Sequence, residues 1–192
     1  MAGYRKLVRH DHDPGDLHEL TFSCYQRRQL LIDDAWRRLF CETINHAVVQ
    51  LEFRLVAFVL MPEHIHLLTY PTNPDVSISR FLWAIKRPHS SRIKSLLQEI
   101  RSPLLDELTV RERPGKFAFR YWQEGSGYDR NMRRESSVMA AIDYIHLNPV
   151  RRKLVLRSVE WKWSSARWYA SEGNEVDPDL PVIHGLPSQF FD

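Results

Sequence analysis

The strongest constraint on this chain is a pair of apolar runs set three residues apart. Phe53 to Leu60 is mostly apolar and bounded by Pro62, and the run His64 to Tyr70 ends at Pro71. Proline cannot donate to a sheet ladder, so each run is closed at a length that suits a strand, and the short gap predicts a tight antiparallel hairpin. In a strand, side chains two apart point to the same face. His64 and His66 therefore project side by side from a rigid element, with Glu63 next to them, in a pattern able to hold one divalent cation. A pair of histidines two apart is also common as mere polar surface, so the pattern needs company.

The flanking segments supply a framework. His18 to Tyr25 is rich in residues that fit a pleated surface and predicts a first strand. Asp33-Asp34 offers a helix cap, and Trp36, Leu39, Phe40, Thr43, Ala47, Val48 and Leu51 recur at helical spacing. Ile78, Phe81, Leu82, Ile85 and then Ile93, Leu96, Leu97, Ile100 repeat that spacing with Pro88 between, which predicts one kinked helix or two short ones. Ser102 to Lys116, with its prolines and charges, is expected to be a surface loop, and Phe117 to Gln123 a strand. Gly125 and Gly127 predict a turn that leaves Tyr128 accessible. Val138, Ala141, Ile142 and Ile145 mark another helix, expected to end at Asn148-Pro149. The order strand, helix, strand, strand, helix, strand, helix gives an α+β sandwich, helices on an antiparallel sheet. We expect an arm over 1–16, one domain over 17–170 and a loosely structured tail over 171–192.

Composition narrows the function less than the pattern does. At 192 residues, 43% hydrophobic and 27% charged, the chain can close a core without disulfides. No apolar run approaches the roughly 20 residues of a bilayer span. The start of the chain has no secretory pattern, and Cys24 and Cys41 lack metal-ligand spacing, so reduced thiols in the cytoplasm are expected. Net charge is only +3, but basic residues come in runs such as Arg27-Arg28, Lys86-Arg87, Arg133-Arg134 and Arg151-Arg152-Lys153. Such runs suit phosphate, although alone they are as consistent with a solvated face.

Two further blocks could carry chemistry. Tyr128 lies in Tyr121-Trp122-Gln123-Glu124-Gly125-Ser126-Gly127-Tyr128-Asp129-Arg130-Asn131. A phenol is a weak nucleophile near neutral pH and needs a base or a polarised target, which a metal at the histidine pair could provide. Tyr144 to Arg151, followed by Trp161 to Arg167, combines aromatic and basic residues able to stack bases and grip phosphates. At least half of those tryptophans are expected to be core anchors instead.

Leu60-Met61-Pro62-Glu63-His64-Ile65-His66-Leu67-Leu68, Tyr121-Trp122-Gln123 leading to Tyr128-Asp129, and Tyr144 to Arg151 with Ser164-Ser165 beyond occur in that order. Together they resemble the transposases associated with repetitive extragenic palindromes (REP), a branch of the single-tyrosine HUH transposases of the insertion-sequence-200 type. The resemblance runs from about Leu17 to Tyr169 and implies a ferredoxin-like α+β core of the HUH endonuclease type. It implies that His64 and His66 hold Mg²⁺ or Mn²⁺ and that Tyr128 is the nucleophile forming a 5′-phosphotyrosine link. It also implies single-stranded or hairpin DNA as partner, in a nucleoid-associated cytoplasmic protein. The family's third ligand lies a turn after the tyrosine, where Met132 is a poor donor for a hard cation. Asn131 is the candidate, with Glu63 or water as replacements. Arg5, Lys6, Arg27, Arg28, Lys86, Arg87, Arg130, Arg151 and Arg152 are candidate DNA contacts, and a monomer is favoured over a homodimer. An idle hairpin-binding protein and a metal-dependent nuclease using water are the competing readings.

Overall fold

The computed structural model describes residues 16–125 and 127–187. Four strands form one antiparallel sheet: β1 (Leu17–Ser23), β2 (Phe53–Leu60), β3 (His64–Pro71) and, later in the chain, β6 (Tyr128–Met132), in the order β2-β3-β1-β6. With α1 (Asp34–Gln50) between β1 and β2, and α2 (Ile78–Glu99) between β3 and β6, this is the ferredoxin-like arrangement. The β2–β3 hairpin forms as its prolines require, with Met61 N donating to His64 O at 2.9 Å across the turn.

Strand alternation builds a core on each face. Leu20, Phe22, Phe53, Leu55, Phe58, Leu60, Ile65 and Leu67 join the apolar sides of α1 and α2 in one cluster. Leu17, Val56, Ala57, Val59, Leu68 and Met132 face the other way and meet Val138, Ala141, Ile142 and Ile145 of α4 (Glu135–Arg151). Both faces of β2 and β3 are buried, which explains their near-continuous apolarity. His64 and His66 interrupt it on the α4 side.

α1 starts where its cap was expected: the Asp33 side chain accepts from Ala35 N and Trp36 N. Pro88 lies inside a single helix, α2, and does not divide it.

Three expectations are corrected. Residues 102–116 are not a featureless loop: they hold a short helix, α3 (Leu104–Glu107), and strand β4 (Thr109–Arg113), which pairs with β5 (Lys116–Phe119) in a separate two-stranded sheet. Phe117 to Gln123, expected as one strand, is so only in part: Lys116–Phe119 is β5 and Trp122 makes an isolated bridge to Cys24, while the strand beside β1 at the sheet edge is β6. Asn148-Pro149 does not stop α4, which continues to Arg151 because the proline falls in its last turn, where the next amides still find carbonyls: Arg152 N donates to Asn148 O and Leu154 N to Pro149 O.

Trp163 is buried, and the Arg37 guanidinium lies between it and Trp161, 5.5 and 5.1 Å from the two ring centres. Residues 171–187 form no helix or strand but are anchored: Leu180 and Ile183 pack on the core, and Val182 N donates to Asn45 Oδ1 at 2.9 Å. Cys24 and Cys41 are both buried and free. No helix among the described residues is long and apolar enough to cross a membrane.

His89 tests the packing of α2. It is fully buried against Phe40, Tyr121 and Trp122, and burial lowers its pKa from 6.5 to about 3. The folded chain holds this imidazole neutral while the unfolded chain protonates it below about 6.5, so the unfolded state binds more protons between those values. Stability is therefore full above 6.5 and falls as pH drops toward 3. Urea unfolding of wild type is expected to show this loss, and His89→Phe to flatten the pH slope. Equal slopes in the two proteins would contradict the assignment.

Candidate active site

The register of three strands assembles the site. His66 of β3 is opposite Thr21 of β1, and Thr21 is opposite Tyr128 of β6, so the three share one cross-strand row on one face. Adjacent strands lie about 4.8 Å apart, which places the backbones of Tyr128 and His66 about 10 Å apart, a gap that an imidazole and a phenol can bridge from either side. His64 is on the same face two residues back along β3, with its ring centre 4.9 Å from that of His66.

Each imidazole is held by its Nδ1. His66 Nδ1 bonds Thr21 Oγ1 at 2.8 Å, and His64 Nδ1 bonds Glu63 Oε1 at 3.1 Å. Arg152 in turn binds Glu63. In the tautomer that donates through Nδ1, each Nε2 carries a free lone pair, the usual arrangement by which a second group orients a metal-binding histidine. Burial lowers both histidine pKa values, that of His66 to about 3, so both rings are neutral near pH 7. The Glu63 carboxyl is held below its ordinary range, with nearby His64 and Arg152 outweighing the effect of burial. Two neutral, pre-oriented imidazoles fit a divalent cation. Among the described residues no third histidine, cysteine, aspartate or glutamate completes such a cluster.

A cleft of about 680 Å³ opens beside the pair, lined by Glu19, Thr21, His66, Tyr128, Arg130 and Tyr144, with Ser136 and Ser137 of the first turn of α4. Tyr128 is 53% exposed, as a group that must meet a macromolecule needs to be. The Tyr144 ring stands edge-on to His66 with 5.5 Å between centres, and the Arg151 guanidinium lies over Tyr144 at 4.9 Å. The start of α4 presents the positive end of its dipole to this space.

Asn131 is not brought to the site. It is opposite His18, three residues along from the Thr21 row, and that odd interval turns it to the other face, where its Nδ2 donates to Asp16 Oδ2 at 3.1 Å. Glu63 faces the His64 Nδ1 and acts as an orienting group. The carboxylate that does share the cleft is Glu19, whose pKa is raised by burial, with Arg130 opposing, 4.0 Å away. Sequence reasoning missed it because only the register of β1 against β6 separates Glu19 from its neighbours.

The candidate basic residues separate into groups. Arg130 and Arg151 flank the cleft, Arg152 is engaged by Glu63, and Arg27 is exposed. Arg28 pairs with Glu107. Lys86 and Arg87 lie along α2 in a separate groove. Arg5 and Lys6 lie outside the described residues.

Comparison with known proteins agrees with this fold. Residues 17–108 match the family described as transposase, IS200-like. A Haemophilus influenzae protein described as a REP-associated tyrosine transposase is 26% identical over 169 residues, covering 86% of this chain and 85% of the relative. A solved REP-associated tyrosine transposase bound to a REP hairpin superposes with a TM-score of 0.64 at 18% identity, covering 96% of this chain and 97% of its own. The resemblance to REP-associated tyrosine transposases holds. The solved relative supports the fold, and the family match spans β1 to β3, the segment that contains His64 and His66.

Gly127 is the hinge of the site. At φ +76° it adopts a left-handed conformation, and a Cβ there would lie 2.1 Å from Thr21 O, the residue that orients His66 and pairs with Tyr128. Gly125, at φ +99°, has nothing within 4 Å of such a Cβ. Gly127→Ala is expected to destabilise the protein by at least about 2 kcal/mol in urea unfolding, against about 1 kcal/mol for Gly125→Ala, the left-handed backbone term alone. Equal costs would mean that β6 is not held tightly against β1.

Proposed function

We propose that this protein is a transposase-like endonuclease and strand-transferase that cuts and rejoins single-stranded DNA at hairpin-forming sites, with Tyr128 as nucleophile. The observation that carries the reading is the cross-strand row Tyr128, Thr21, His66, in which an exposed phenol shares a sheet face with a neutral imidazole pair, one ring of which Thr21 orients. The hairpin preference rests on likeness to the relative solved with a REP hairpin.

His64 and His66 would hold a Mg²⁺ or Mn²⁺ ion through Nε2, and such an ion, when bound, supplies Lewis-acid polarisation of the scissile phosphate. The chain's own residues do the rest. Arg130, Arg151 and the first turn of α4 bind and orient phosphates at the cleft. The Tyr128 oxygen attacks phosphorus, the bond to the 3′ oxygen breaks, and a 5′-phosphotyrosine and a free 3′-hydroxyl result. The phenolic proton leaves to a base, for which the desolvated Glu19 carboxylate shares the cleft, and the departing 3′ oxygen takes up a proton from water. Attack of a 3′-hydroxyl on the phosphotyrosine reverses the step, so the stored bond permits rejoining without ATP. His64, His66 and Tyr128 belong to one sheet of one chain, which supports action as a monomer.

Incubation with Mn²⁺ and labelled single-stranded palindromic DNA is expected to give a band of protein plus DNA on a denaturing gel, abolished by chelator and by Tyr128→Phe. His64→Ala or His66→Ala is expected to lower cleavage by at least about a hundredfold, the loss of a metal ligand. Cleavage without the covalent band would transfer the attack to water; tight binding without cleavage would leave a hairpin-binding protein.

A further inference from the structure

A second groove, separate from the cleft at Tyr128, runs between α2 and the β5 segment and has a volume of about 680 Å³, within the range of a ligand site. Its walls combine Trp83, Lys86, Arg87, Lys94 and Arg120 with serines of α2, and no carboxylate is among its described lining residues. Arg120 is committed to Glu112 and Glu124. Lys86, Arg87 and Lys94 form no ion pair among the described residues, so the groove keeps a net positive charge.

Trp83 has no role in the core. It is 58% exposed, whereas its neighbours Phe81, Leu82 and Ile85 are buried. The Arg87 guanidinium, one helical turn on, covers one side of its ring at 4.8 Å and leaves the indole standing in the groove. Lys86 is bent inward: its Nζ lies 5.3 Å from the Phe22 ring centre and donates to Gly125 O at 3.3 Å. An exposed indole braced by arginine, among cations with no carboxylate opposite, matches the two requirements of single-strand binding. These are a π-surface for the base and positive charge along the backbone. A folded duplex offers its bases only at their edges, so the stacking surface selects unpaired nucleotides.

The groove also ends at the right place. Gly125 lines it, and Tyr128 is three residues further along the chain, at most about 10 Å of extended backbone. We propose that the α2–β5 groove binds unpaired nucleotides of the same DNA strand whose phosphate is presented to Tyr128, with Trp83 as the base-stacking platform and Lys86, Arg87 and Lys94 as phosphate contacts. This rests on the reading of the protein as a single-strand DNA enzyme and adds where the unpaired strand lies.

The test is a fluorescence-anisotropy titration of the full-length chain with a labelled oligothymidylate of about 12 nucleotides, within known single-strand site sizes, and in parallel with a blunt DNA hairpin lacking unpaired ends. Trp83→Ala is expected to weaken oligothymidylate binding by about 5- to 150-fold, the loss of one stacked base. Trp83→Phe is expected to recover most of it, and hairpin affinity to stay within about twofold. Arg87→Gln, a surface change that leaves the core intact, is expected to weaken oligothymidylate binding in the same direction. Oligothymidylate binding unchanged in Trp83→Ala and Arg87→Gln would overturn the groove assignment while leaving the nuclease reading intact. Wild-type protein that binds neither DNA would overturn the nuclease reading itself. An equal loss for hairpin and oligothymidylate would overturn the selectivity for unpaired nucleotides.

Discussion

The pairing of β1 with both β3 and β6 is the constraint on which the rest of this structure depends. Thr21 lies between His66 on one side and Tyr128 on the other, and its hydroxyl fixes the His66 ring. The residues of the site come from segments separated by tens of residues, so their meeting depends on register alone. A slip of one residue would turn every side chain of the slipped strand to the opposite face. Two burial patterns resist such a slip: Leu20 and Phe22 must reach the α1–α2 core, while Leu17 must reach the α4 core. On the back of the same strands, the buried His18 Nδ1 meets Asp129 Oδ1 at 3.0 Å, and Asn131 and Arg133 both bind Asp16. The polar residues facing away from the cleft thus help hold β6 in the phase that presents Tyr128.

Where a single periodicity decided an element, the sequence was sufficient. The hairpin Phe53–Leu60 and His64–Pro71, the helix capped by Asp33 and the layering of helices on an antiparallel sheet follow from apolar spacing and proline punctuation, whereas the ferredoxin-like order was implied by the family resemblance. The histidine pair followed too, since two residues apart in a strand is a local relation. β6 was hidden for a physical reason: Tyr128–Met132 reads Tyr-Asp-Arg-Asn-Met, with hardly an apolar residue, because it is a short edge strand whose pairing satisfies backbone and whose outer side faces solvent. β4, with three charged residues of five, was hidden likewise. The helix end at Asn148-Pro149 was misplaced because a proline removes a single amide donor, and the amides beyond it, Arg152 N and Leu154 N, still bond the carbonyls of Asn148 and Pro149.

The placement of Asn131 shows the limit of spacing arguments most clearly. Three residues after the tyrosine is one turn if the segment is helical, and the side chains then share a face. On a strand the same interval lands on the opposite face. The candidate ligand therefore failed on secondary structure rather than on chemistry, and Glu19, invisible to any local motif, took its place on the cleft. A carboxylate recruited across a strand pair cannot be read from the linear sequence without the register.

The electrostatics of the site are built to carry negative charge that is not there in the isolated chain. Burial keeps both imidazoles neutral, so they oppose a cation far less than protonated rings would, while Arg130, Arg151 and the first turn of α4 supply fixed positive potential along the cleft. The carboxylate bonded to the pair, Glu63, is paired with Arg152 and serves His64. On the proposed reading, His64 and His66 would hold the cation, and no third histidine, cysteine, aspartate or glutamate among the described residues would close the site around it, so its Lewis acidity would be open to a substrate phosphate. A closed set of four protein ligands would bind a cation more tightly, but would leave no open position for the phosphate that the proposed reaction at Tyr128 requires.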